Sequence, residues 1–113
     1  KDRISFPLTN LKCVQIEKRM SWCDDSRIPK SYNKLISVDN NIHHEKLFRK
    51  DYKYDLLIPI KYNFFKRVPG KGSCIFIHLT KNYKPTAGCI ALKKKDFLIM
   101  LKIINKNTKI KIY

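Results

Sequence analysis

Residues 70–101 read GKGSCIFIHLTKNYKPTAGCIALKKKDFLIML, and the fold is decided there. The run at residues 74–79 (CIFIHL) is rich in β-branched and aromatic side chains, which suit a buried strand. It is fed by the turn at residues 68–72 (VPGKG), where two glycines allow backbone angles that other residues resist. The pattern predicts a rigid strand presenting His78 near its end. Residues 80–87 form a polar loop containing Pro85, and residues 88–92 (GCIAL) form a second short strand opened by Cys89. Residues 94–104 then place Phe97, Leu98, Leu101 and Ile104 at helical spacing.

Upstream of this block, residues 55–62 (DLLIPIKY) are strand-like, but Pro59 cannot donate a ladder hydrogen bond, so an edge strand or a bulge is expected. Residues 11–17 and 34–38 read as strands, and residues 22–30 as a polar loop carrying Asp24, Asp25 and Ser26. Residues 43–50 read as one or two turns of helix with Leu47 and Phe48 facing inward. At the C-terminus, residues 108–113 (TKIKIY) alternate as a half-buried strand. The expected class is mainly β with one or two helices, without internal repeats, low-complexity segments or an interior linker.

A chain of 113 residues is expected to form one domain spanning 1–113, since chains this short rarely hold two cores. With 43% hydrophobic and 12% aromatic residues it lies outside the composition of disordered chains. The sequence opens at Lys1 with no signal-peptide pattern, so it reads as a processed or excerpted chain. No stretch approaches the roughly 18 uninterrupted apolar residues of a membrane span, and Lys102 breaks the greasiest run, so a soluble domain is expected. The net charge of +16, from 25 Lys+Arg against 9 Asp+Glu, favours polyanionic partners: nucleic acid, anionic lipid or acidic wall polymers. Lys, Ile and Asn are abundant throughout, as an AT-rich coding sequence would give, so the charge equally serves solubility.

The chemistry-bearing residues are few. Cys13, Cys23, Cys74 and Cys89 match neither a small disulfide scaffold nor paired zinc knuckles. Cys74 and His78 lie on one strand-like run about 13 Å apart, too far to share a zinc ion, and no metal site is expected. A cysteine becomes a strong nucleophile when an imidazole takes its proton, and His78 and Cys89, each at a strand end, meet that demand. Gly88 would let a substrate carbonyl approach, and the backbone N–H groups near Gly88 and Cys89 could hold an oxyanion. On residue types alone the pair also reads as a buried thiol and a satisfied core histidine. His43 and His44 read as solvated side chains, and Cys13, Cys23 and Cys74 as small apolar fillers.

What raises the catalytic reading is resemblance. The block at residues 70–101 resembles the catalytic segment of the YkuD-like L,D-transpeptidase family: a strand ending in His, a loop, then Ser/Thr-x-Gly-Cys. Here that pattern is His78 followed by Thr86-Ala87-Gly88-Cys89. The likeness continues through SWCDDSRIPKSYNKLI, HEKLFRKDYKYDLLIPIKYN and VPGKGS, similar to a bacterial branch of the family, and covers nearly the whole chain. The common form of the family has His before the Gly and Arg two residues after the Cys, where this chain has Ala87 and Ala91. The family domain usually carries further N-terminal strands ahead of the point where Lys1 begins, so the resemblance implies a YkuD-like mixed β-sandwich or barrel lacking them.

The resemblance implies attack of the Cys89 thiolate on a peptidoglycan stem peptide beyond its diamino acid, giving a thioester that an amine or water resolves. His78 is then the base, and a depressed thiol pKa is expected at Cys89. Thr86, Gly88, Ser73 and Gly72 would position the oxyanion, the substrate or the His78 strand. No metal or organic cofactor is implied. The location implied is the cell envelope or periplasm, with stem peptides as the partner and a monomer expected. Trp22, Asp24, Asp25, Tyr32 and Asn33 match the same branch. They read as core or lid packing and loop-forming side chains, or else as a groove wall. Two rival readings stand beside this one: a basic nucleic-acid-binding module, which lacks a recognisable motif, and a catalytically inactive wall-binding relative, suggested by Ala87 and Ala91.

Overall fold

The computed structural model describes residues 6–37, 42–83 and 89–111. Two small sheets and one helix make up its regular structure. In chain order the elements are β1 (Met20–Cys23), β2 (Leu35–Ser37), β3 (His44–Lys46), β4 (Leu57–Pro59), β5 (Phe76–Leu79), β6 (Ile90–Leu92) and α1 (Lys94–Ile103). One sheet has the order β2-β1-β3, antiparallel throughout, and the other the order β4-β5-β6.

The central strand of the second sheet is the one that the sequence marks most clearly. All four residues of β5 (FIHL) are buried, as an aromatic and β-branched run flanked on both sides should be. β4 pairs with it antiparallel and lies at the edge, with Pro59 opposite Phe76. A proline is tolerated there because an edge strand need not donate on its outer side. β6 runs parallel to β5 on the other flank, in the register Ile77 with Ile90, His78 with Ala91, and Leu79 with Leu92.

Side chains alternate across a strand, so the register divides β5 and β6 into two faces. On one face Ile77, Leu79, Ile90 and Leu92 join Phe97 and Leu101 of α1 in one apolar cluster. On the other, Phe76 packs with Trp22, Leu47 and Tyr54, and Cys74 and Cys89 lie against that cluster. Trp22 and Tyr54 meet the Phe76 ring edge-on, with centroids 5.4 and 5.8 Å apart. Such aromatic pairs add to the area they bury, and here they fasten the first sheet over the second.

Some local expectations give way. Residues 11–17 form no strand, and residues 108–111 are irregular. Residues 20–23, read partly as loop, form the central strand of the first sheet. Residues 44–46, read as helix, form its edge. His44-Glu45-Lys46 has no strand-like composition of its own, and its pairing with Ser21, Trp22 and Cys23 supplies the extended backbone.

Candidate active site

His78 and Cys89 lie toward one face of the second sheet. Phe76 and His78 of β5 share a face with Ala91 of β6, and Cys89, two residues before Ala91, stands on that same side against the Phe76 cluster. With strands about 4.8 Å apart and about 3.3 Å of rise per residue, the two Cα atoms are separated diagonally by roughly 8 Å, a span that an imidazole and a thiol can close. His78 is 7% exposed. Its Nδ1 lies 2.9 Å from the carbonyl of Leu79. A carbonyl can only accept, so Nδ1 carries the proton and Nε2 is left as the basic nitrogen. The ring also stands edge-on to Tyr54, with centroids 5.6 Å apart.

The Cys89 thiol is hydrogen-bonded to the backbone just before β5. Cys89 Sγ donates to the carbonyl of Cys74 at 3.2 Å. Cys74 has φ +59°, a sparsely populated angle for a residue with a side chain. Backbone strain of this kind gathers at functional positions, and here it sits on the residue whose carbonyl accepts from the Cys89 thiol. Burial pushes the Cys89 thiol up; the Phe76 backbone N–H opposes this, and the charge of Glu45 adds to it. Burial likewise pushes the Cys74 thiol up to about 12. Burial thus acts on the Cys89 thiol in the direction opposite to the depression that the resemblance implies.

Of the four residues that the resemblance implies as positioning groups, two can be placed. Gly72 has φ +135°, its N–H donates to Tyr32 Oη at 3.1 Å, and an added Cβ would lie 2.8 Å from the Tyr62 ring. Glycine is required there on both counts. Ser73 Oγ donates to the carbonyl of Cys23 at 2.7 Å, tying the segment before β5 to the end of β1. Both residues serve the backbone leading to Cys74. Thr86 and Gly88 lie outside the described residues.

The structure also gives work to the branch residues whose role the sequence left open. Trp22 Nε1 donates to Asn33 Oδ1 at 2.8 Å, and Asn33 Nδ2 donates to the carbonyls of Tyr62 and Asn63 at 2.9 and 2.7 Å. Asp25 accepts from the Arg27 guanidinium and from the backbone N–H groups of Arg27 and His43, which holds its carboxyl well below the usual range. These side chains knit loops together behind the site. A groove of about 650 Å³, lined by residues such as Phe6, Leu11, Phe48 and Leu101, includes neither His78 nor Cys89. The residue that sequence reasoning missed is Glu45, half-buried on β3 beside Trp22 and hydrogen-bonded by the Tyr54 hydroxyl. An acidic residue in a strand of three, read as helix, gave no sign of being half-buried against Tyr54.

The sequence model of the L,D-transpeptidase catalytic domain, YkuD, matches residues 12–112. The chain belongs to that family. No curated protein and no solved structure matches the chain. The match covers every element of this YkuD domain, from β1 to α1, and with them both sheets. Among the described residues no helix is long and apolar enough to cross a membrane.

Proposed function

We propose that this YkuD domain is a cysteine-dependent L,D-transpeptidase that acts on peptidoglycan stem peptides in the cell envelope, with Cys89 as nucleophile and His78 as general base. The observation that carries this reading is the placement of His78 and Cys89 on one face of adjacent strands, with the Leu79 carbonyl fixing the basic nitrogen at Nε2. In the first step the Cys89 S–H proton passes to His78 Nε2 as sulfur bonds to the substrate carbonyl carbon. The C–N bond then breaks, and the imidazolium hands that proton to the departing amine, leaving a thioester. In the second step an incoming amine gives its proton to His78, forms the new amide and releases the thiol. Backbone N–H groups around Gly88 and Cys89 would hold the oxyanion, with Thr86 bonding within the site. Gly72 and Ser73 act at a distance by fixing the Cys74 carbonyl against the thiol.

The test uses a carbapenem, whose strained lactam acylates an activated thiol. Intact-mass measurement should show a stable adduct on the wild type that is lost in Cys89→Ala. A folded wild type that takes no adduct would instead favour the wall-binding, non-catalytic reading.

A further inference from the structure

One acidic side chain stands in the core next to the strand that bears His78. In a chain with 25 basic residues and 9 acidic ones, a half-buried carboxylate held by the buried tyrosine that meets His78 is out of pattern. Glu45 is that carboxylate. β3 pairs with β1 so that Glu45 stands beside Trp22, whose ring packs on Phe76 in the strand that also bears His78. The hydroxyl of Tyr54, itself 8% exposed, donates to Glu45, and the Tyr54 ring lies edge-on to the His78 imidazole at 5.6 Å. One buried tyrosine thus joins the carboxylate to the base.

The charges that face Glu45 come from every side of it. Arg49, following β3, covers the Tyr54 ring at 5.0 Å and favours the ionised carboxylate, while Asp24, following β1, opposes it. His78 of β5 favours it as well, and Glu45 in turn acts on both Cys74 and Cys89. Burial is the largest influence on Glu45 and pushes its carboxyl up. The fold accepts that cost and holds the group on Tyr54, whose ring meets His78, all the same.

We propose that Glu45 is a positioning residue for acyl transfer: through Tyr54 and through its charge it keeps the transferring proton on the His78–Cys89 pair, available to the departing amine. This inference rests on the acyl-transfer reading above. A negative charge beside two coupled groups makes every proton on them harder to remove, whichever of the two carries it. Removing the charge should therefore displace the alkaline limb of the rate profile to lower pH, whereas a purely structural role would lower its height and leave the limb in place.

The experiment follows the rate of carbapenem adduct formation on the intact domain by mass spectrometry between pH 5 and 10. Glu45→Gln keeps an oxygen for the Tyr54 hydroxyl and removes only the charge. Its alkaline limb is expected to move down by about half a pH unit or more, which makes the rate on that limb about threefold lower. Glu45→Asp, with the charge drawn back by one methylene, should fall between wild type and Glu45→Gln, and it answers alone if Glu45→Gln does not fold. An alkaline limb that stays in place in whichever variant folds overturns this inference while leaving Cys89 as the acylated residue. Absence of an adduct on the folded wild type at every pH overturns the acyl-transfer reading and this inference with it.

Discussion

Asn33 shows how much of this site rests on single side chains behind it. It has φ +57°, is 3% exposed, and uses its amide to hold the Trp22 indole and the carbonyls of Tyr62 and Asn63. Asn33→Ala leaves a buried indole N–H and two carbonyls without their partner and adds the left-handed backbone penalty. The expected loss is about 3 kcal/mol or more in urea denaturation. Asn33→Gly loses the same hydrogen bonds but tolerates the angle, so it should be about 1 kcal/mol less damaging. Equal losses would show that the angle is not strained. The Tyr32-Asn33 pair could be seen in the sequence but its task could not, because its partners lie between 11 and 40 residues away. By contrast the strand that carries His78 and the one that begins just after Cys89 were legible, since each is a run of apolar β-formers.

At the scale of elements, legibility followed length and burial. β5 and α1 announce themselves because four buried residues in a row and an i, i+4 pair such as Phe97 and Leu101 are patterns that local chemistry enforces. β3 is three residues of His, Glu and Lys, and its conformation is imposed by β1, a tertiary effect that local pattern cannot carry. The helix also carries a fault that can be tested. Its N-cap is Lys93, which makes no side-chain capping bond, and Lys94 and Lys95 follow it, so positive charge crowds the positive end of the helix dipole. Lys93→Asp should supply a capping oxygen and relieve that repulsion. The change gives up the contact of the Lys93 ammonium with the Tyr83 ring at 5.4 Å, a surface interaction of small worth. The net expectation is a gain of about 1 kcal/mol, read as a Tm higher by about 4 °C. A lower Tm would mean that the contact with Tyr83 outweighs the cap.

For the whole molecule the dominant fact is the excess of positive charge. Nine acidic residues cannot pair with 25 basic ones, and among the described residues Asp25 pairs with Arg27 and Asp51 with Arg49, each two positions along the chain. The remaining cations repel one another across a body whose radius of gyration is 14.3 Å. At an ionic strength of about 0.01 M the screening length is about 30 Å, so every charge feels every other. At about 0.15 M it is about 8 Å, and only neighbours interact. Surface ion pairs contribute little and lose little to salt, whereas the summed repulsion loses most of its strength. Raising the ionic strength over that range should therefore raise Tm, by about 4 °C or more if about 1 kcal/mol of repulsion is relieved. Calorimetry in sodium chloride decides it, and a Tm that falls with salt would mean that the pairs around Asp25 and Asp51 outweigh the repulsion. The same field draws the domain toward polyanions. Its reach fades on the same salt scale, while the contacts that place Glu45, Tyr54 and His78 against one another do not.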